Sequence, residues 1–240
     1  MGKLDGKIAI ITGGGTGIGK AIAKEFADAG ARVVLAARDL DRLEAAAHEI
    51  GSAASAVRCD VSDETQVEAL FARVDEEQGP VDIMVNNAGL ASPALTHELE
   101  LERWQQVISV NLTGAFLGSK HALKRMIPRK SGRILNIGSI SGQMSRPHSA
   151  AYTSSKFGLD GLTRSMALDG REHGIAVSVL HPGNVDTDIW KGMREMAELE
   201  GMVPLADVAH AALAIVSMED GVNMLSSVIL PVTQPYIGRG

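Results

Sequence analysis

Lys7 to Phe26 reads Ile8-Ala9-Ile10-Ile11, then Thr12-Gly13-Gly14-Gly15-Thr16-Gly17-Ile18-Gly19, then Lys20-Ala21-Ile22-Ala23-Lys24-Glu25-Phe26. A β-branched apolar run meets a glycine cluster and passes into a helical pattern with Ile18, Ile22 and Phe26 on one face. The stretch predicts strand, tight turn, helix. A helix opening straight from such a turn leaves unpaired N–H groups backed by the positive end of its dipole, so a phosphate can sit there without a side-chain cation. The spacing of Gly13, Gly17 and Gly19 is G-x-x-x-G-x-G, not G-x-G-x-x-G. It reads as a variant of the same device, or as a glycine-rich turn that holds no ligand.

Outward from this stretch the pattern repeats. Ala31 to Ala37 is a second buried-type strand introduced by Gly30, so the chain opens as β-α-β. About twenty residues past the glycine loop, where an NAD-binding unit sets an acid on the ribose, stands Arg38. A guanidinium there suits a 2′-phosphate, hence NADP, or is simply a solvated strand end beside Asp39. Leu40 to Ile50 is a helix ending at Gly51, Ala54 to Cys59 a third strand, and Glu64 to Gln78 a helix capped by Ser62-Asp63. Asp60-Val61 lies between them, fit either to line an adenine site or to start that cap. Val81 to Val85 is a fourth strand running into Asn86-Asn87-Ala88-Gly89, whose amides either serve a ligand or brace the turn.

Glu98 to Phe116 and Gly118 to Met126 are helical in pattern, and Asn111 inside the first is either hydrogen-bonded or marks an irregularity. Gly132 to Ser139 is a fifth strand, Tyr152 to Leu168 a helix, Ile175 to Leu180 a sixth strand before His181-Pro182-Gly183, Ala206 to Ser217 a helix and Val228 to Leu230 a seventh strand. Asn184 to Val203, with Trp190, Met193, Met196 and Met202, reads as a flexible lid over substrate. This alternation, without repeats or linkers, predicts one α/β domain over 1–240: a doubly wound, seven-stranded parallel sheet with helices on both faces.

Composition narrows the function. The chain has 240 residues, 45% hydrophobic and 22% charged, as an ordinary globular protein does. A net charge of -6 argues against a nucleic-acid footprint. Without an apolar run long enough to span a bilayer, or an apolar leader after Met1, the expected location is the cytoplasm. Cys59, the single cysteine, reads as a buried structural thiol.

In a doubly wound sheet the carboxyl ends of the strands share one crevice. That gathers the glycine loop, Arg38, Asp60, Asn86 to Gly89 and Ser139, and the helix after the fifth strand adds Tyr152. Tyr152 and Lys156 lie four apart, on one helical face. A phenol acting as base near neutrality needs its pKa lowered by about three units, roughly 4 kcal/mol, which an ammonium about 4 Å away supplies at an effective dielectric of 20.

Together, Thr12-Gly13 with Gly17 and Gly19, Asn86-Asn87-Ala88-Gly89, Asn111, Ser139, Tyr152-x-x-x-Lys156 and Pro182-Gly183 resemble the short-chain dehydrogenase/reductase family, in its shorter branch, over essentially the whole chain. The resemblance implies a Rossmann fold and hydride transfer between a nicotinamide and a carbonyl or secondary alcohol. It implies that Tyr152 is the general acid and base, that Ser139 orients the oxygen, that Lys156 lowers the tyrosine pKa and holds the ribose, and that Asn111 holds a water in a proton relay. It implies a cofactor site of Gly13, Thr16, Gly17, Ile18, Gly19, Arg38, Asp60, Val61, Asn87, Ala88, Gly89, Tyr152, Lys156, Pro182, Gly183, Val185 and Thr187, with NADP(H) preferred and NAD(H) possible, no metal, and a homotetramer or homodimer. Pro231 to Tyr236 departs from the ending of acyl-carrier reductases, which weakens a fatty-acid reading. An NAD-dependent dehydrogenase of the same family, and a catalytically silent dinucleotide sensor or scaffold, are the alternatives.

Overall fold

The computed structural model describes residues 2–187 and 199–236. The apolar runs form seven strands: β1 (Ile8–Thr12), β2 (Arg32–Ala37), β3 (Ala54–Arg58), β4 (Ile83–Asn86), β5 (Gly132–Ile137), β6 (Ile175–Pro182) and β7 (Ser226–Ile229). Between them lie α1 (Gly17–Asp28), α2 (Leu40–Ile50), α3 (Glu64–Glu77), α4 (Leu101–Ile108), α5 (Gly114–Arg129), α6 (Ala150–Arg171) and α7 (Leu205–Val216). All pairings are parallel, in the order β3-β2-β1-β4-β5-β6-β7, so the sequence reading of a doubly wound sheet holds. The order reverses between β1 and β4, which opens the crevice at their carboxyl ends.

Alternate residues of each strand enter opposite layers. Ala9 and Ile11 join Leu35, Ile22 and Phe26 in one core, shared with α7 residues Val208 and Ile215. Ile8 and Ile10 join Val34, Phe71, Met84, Met126 and Met166 in the other. With both faces covered, β1 is buried throughout and needs no polar face. Cys59 lies in the second core, 1% exposed, as expected, and burial followed by the charges of Asp60 and Asp63 pushes its thiol up to about 11.

Several boundaries differ from the sequence reading. The helix expected from Glu98 starts at Leu101, because a turn closes Glu98 N–H onto the Leu95 carbonyl at 2.9 Å. It then runs unbroken into α5 through a π-turn at Ser109–Thr113. Gly118 does not interrupt it: a Cβ there would lie 2.4 Å from Asn86 Oδ1 and 2.5 Å from Met84 Cε, so the missing side chain lets α5 press onto β4. Helix α6 begins at Ala150, before Tyr152. Strand β4 begins at Ile83 because the Asp82 carboxylate accepts the N–H of Ile8 at 3.0 Å instead. Met224 packs against the first core, whereas Trp190, Met193, Met196 and most of the expected lid lie outside the described residues.

Candidate active site

The glycine loop is built for close approach. Gly13 has φ +65° and Gly17 φ +51°, the left-handed region that favours glycine. A Cβ on Gly19 would lie 2.3 Å from the Gly13 carbonyl oxygen and 2.5 Å from Asn87 Nδ2, so this glycine is demanded by packing whatever binds there. The first turn of α1 holds no acidic residue, and Thr16 at its N-cap makes no side-chain cap. Asn87 Nδ2 donates to the carbonyls of Thr12 at 2.9 Å and Gly13 at 3.2 Å, while Thr12 Oγ1 accepts the N–H groups of Asn87 at 3.0 Å and Ala88 at 3.1 Å. Of the two readings of the asparagine pair, Asn87 thus braces the loop.

Asn86 does the same deeper in the core. It donates to Ser119 Oγ and to Asn136 Oδ1, both at 2.8 Å, and Asn136 donates to Thr163 Oγ1 at 2.8 Å. This buried polar chain ties β4 and β5 to α5 and α6. Nothing in hydrophobic patterning points to such a chain, because each polar residue sits where a strand or helix expects an apolar one.

Arg38 is exposed at the end of β2, and its charge acts on Asp60. Asp39 caps α2 by accepting Arg42 N–H at 3.1 Å and pairs with Arg42 Nε at 3.1 Å, so its carboxylate is already engaged. Asp60 accepts the N–H and hydroxyl of Ser62 at 3.0 and 2.6 Å. Burial raises its pKa, but those bonds and Arg38 outweigh burial and hold the carboxyl below its usual range. Val61 is buried against Gly114, where a Cβ would come within 2.8 Å of its methyl.

Asn111, 1% exposed, sits in the π-turn, so it is both bonded and irregular. Its Oδ1 accepts Leu90 N–H at 2.9 Å, and its Nδ2 donates to the Leu90 carbonyl at 2.9 Å and to Ser155 Oγ at 3.0 Å. The amide is committed to protein partners and clamps the loop after Gly89 to α6. Ser139 ends the fifth strand segment in extended conformation and accepts Ser141 N–H on its hydroxyl oxygen at 3.1 Å.

Tyr152 and Lys156 share the inner face of α6, with Lys156 Nζ 5.6 Å from the centre of the phenol ring and donating to the Ile137 carbonyl at 2.8 Å. The expected depression of the phenol is corrected here. Burial raises Tyr152, with the Ser139 hydroxyl and the Arg146 charge only partly offsetting it, and burial brings Lys156 down to about 8. Burial penalises each charge by itself, and here it outweighs the groups that favour ionisation.

Ser139 and Tyr152 face a cleft of about 730 Å³ that also takes in Ile18, Pro182, Gly183, Val185 and Thr187. Thr187 closes on the glycine loop, its methyl 3.3 Å from where a Gly17 Cβ would be. Arg146 and residues of the Asn184 to Val203 segment and the tail complete the wall. Arg146 Nη2 donates to Asn184 Oδ1 at 3.1 Å and to Glu200 at 3.3 Å, and Asn184 N–H donates to Gln234 Oε1 at 3.0 Å. Tyr236 bonds Gln143, so the atypical tail closes one side of the cleft. Among the described residues no cluster of histidine, cysteine and acidic side chains is placed to hold a metal.

A profile described as short chain dehydrogenase matches residues 7–198. The chain belongs to the short-chain dehydrogenase family. It is 37% identical over 239 residues to cis-4-hydroxycyclohexanecarboxylate dehydrogenase of Sinomonas cyclohexanicum, covering 96% of each chain. It is 35% identical over 192 residues to the 3-oxoacyl-[acyl-carrier-protein] reductase FabG of Vibrio cholerae, covering 80% of this chain and 79% of that one. A crystal structure from Agrobacterium tumefaciens assigned as a gluconate dehydrogenase superposes with a TM-score of 0.87 at 34% identity, over 94% of this chain and 95% of that one. As a short-chain dehydrogenase, the protein is an oxidoreductase working between CH–OH and C=O groups with a nicotinamide cofactor. No helix among the described residues is long and apolar enough to cross a membrane.

Proposed function

We propose that this short-chain dehydrogenase is an NADP(H)-dependent carbonyl reductase and alcohol dehydrogenase, with Tyr152 as its general acid and base. The observation that carries the reading is the convergence of Ser139 and Tyr152 on one cleft whose far wall, through Thr187, touches the glycine loop. The residues fit a dinucleotide: an uncapped α1 N-terminus suits the pyrophosphate, and exposed Arg38, beside an Asp39 already engaged, suits a 2′-phosphate. Asp60 and Val61 would flank the adenine, Asn87 to Gly89 the central ribose, and Pro182 to Thr187 the nicotinamide. The bound cofactor supplies the hydride that goes to the carbonyl carbon.

Tyr152 gives its phenolic proton to the carbonyl oxygen as the alcohol forms, and takes it back in the reverse direction. Its raised pKa keeps that proton in place at neutral pH, the form that donates to a carbonyl oxygen. The Ser139 oxygen is held by Ser141 N–H, and its own proton, which also reaches the Tyr152 oxygen, can turn to the substrate oxygen. Lys156 offsets the phenolate left behind. Both Nδ2 hydrogens of Asn111 are given to protein, so a relay water from Lys156 would donate to the second lone pair of Oδ1 or to main-chain carbonyls of the π-turn.

For substrate, the names of two similar proteins, a cyclohexanecarboxylate and a gluconate dehydrogenase, support a hydroxy acid. Exposed Phe116 on α5 and Phe157 on α6, 45% and 47% exposed, support assembly into a homo-oligomer through these helices. The function is tested by nicotinamide-linked turnover of a hydroxy-acid panel with wild type and Tyr152→Phe. Loss of about a hundredfold or more in the variant, with the fold intact, supports the assignment; equal turnover rejects it.

A further inference from the structure

We propose that His181, held between Asp160 and the end of the fifth strand, positions Ser139 through its main-chain carbonyl. The inference rests on the catalytic reading of Ser139 above. His181 closes β6 and its side chain is wholly buried, while Asp160 lies on α6 one turn beyond Lys156. The imidazole bridges the two. Its Nδ1 is 2.8 Å from the Ser139 carbonyl oxygen and its Nε2 is 3.3 Å from Asp160 Oδ1.

A carbonyl oxygen only accepts, so Nδ1 carries a hydrogen. The second contact then needs a proton between Nε2 and Oδ1, since two lone pairs would otherwise face each other. Arg164 Nε donates to the other Asp160 oxygen at 2.7 Å, so the carboxylate is held from both sides. A histidine buried for packing alone is satisfied by one donor and one acceptor; this one faces two acceptors. The charged groups on its α6 side are Asp160, Arg164 behind it and Lys156 one turn earlier. Its β7 register partner is the uncharged Val228, and the end of β5 offers Gly138 and Ser139.

The approach is sterically prepared. A Cβ on Gly138 would lie 2.6 Å from His181 Nδ1 and 3.0 Å from its Cε1, so any larger residue would push the ring off the carbonyl. The same carbonyl accepts Gly142 N–H at 2.8 Å, and the two donors together pin the peptide after Ser139. Ser139 is thereby held at φ -170°, ψ 156°, the conformation from which its hydroxyl oxygen accepts Ser141 N–H. His181 touches no reacting atom; it is a positioning residue.

The test combines nitrogen NMR of histidine-labelled enzyme near neutral pH with steady-state kinetics of Asp160→Asn, His181→Leu and Tyr152→Phe. Nδ1 of His181 is expected to carry a hydrogen in wild type and in Asp160→Asn, whose amide can donate to Nε2. His181→Leu is expected to lose roughly tenfold or more in kcat with dinucleotide KM within about twofold, and Asp160→Asn to lose less. An Nδ1 without its hydrogen in wild type, or wild-type kcat in both Asp160→Asn and a folded His181→Leu, overturns the proposal. Should His181→Leu not fold, the tautomer and kcat of Asp160→Asn decide alone. Tyr152→Phe separates the two readings, because turnover retained there rejects the catalytic assignment itself.

Discussion

Asn87 Nδ2 donates to the carbonyl of Thr12 at 2.9 Å, joining the ends of β4 and β1 across 75 positions of sequence. The bond is returned by Thr12 Oγ1, which accepts the N–H groups of Asn87 and Ala88 and donates to the Val85 carbonyl at 3.3 Å. The glycine loop is thus held against the loop that the fold places beside it at the reversal of strand order.

Thr12→Val keeps the shape of the side chain and removes the hydroxyl, leaving two amide hydrogens at a site only 4% exposed without their acceptor. We expect a loss of about 2–3 kcal/mol in unfolding free energy by denaturant titration, with Thr12→Ser close to wild type.

Asn111→Leu removes three hydrogen bonds that tie the Leu90 segment and Ser155 to the π-turn. Thermal unfolding should show a loss of roughly 2–4 kcal/mol, with kcat falling further than stability requires because α6, which carries Tyr152 and Lys156, loses a clamp. Hydrogen exchange at Leu90 reports the clamp directly, and unchanged protection there would contradict its role.

These two sites mark what was legible beforehand. The glycine loop, the alternation and the spacing of Tyr152 and Lys156 could be read because period and local turn chemistry leave a trace in neighbouring residues. Asn111 could be flagged, since an asparagine is out of place inside a helix, but not resolved, since its partners lie 21 and 44 positions away. The Asn86 to Thr163 chain and the His181 contact with Ser139 are products of strand order and leave no local pattern. The electrostatics of Tyr152 escape the sequence for a related reason: spacing gives a shared face, but not how far burial opposes each charge. Helix boundaries near Leu101 and Leu117 failed where a turn and a close-packed glycine, not propensity, decided them.

Lys156 carries a stability cost that function retains. Its folded pKa of about 8 lies below the usual 10.5 of a lysine, so the folded protein binds this proton less readily than the unfolded chain. Its burial therefore destabilises fully below about 8, and the penalty is relieved as pH rises from about 8 toward 10.5. Lys156→Met should be as stable as wild type or more so at pH 7, by up to about 3 kcal/mol less the lost bond to Ile137, while losing turnover. The advantage should shrink across that pH window in parallel thermal melts; an advantage that grows with pH would contradict the assignment.

The most direct test of the account is a nicotinamide-fluorescence titration of wild type and Arg38→Asp with NADPH and NADH. Wild type should bind NADPH more tightly by about tenfold or more, and Arg38→Asp should lose or reverse that preference, since the guanidinium and a 2′-phosphate form a charge-assisted pair. If neither dinucleotide binds wild type, the reading of the glycine loop is wrong and the catalytic assignment falls with it. If both bind alike and Arg38→Asp changes nothing, the NADP(H) preference is wrong.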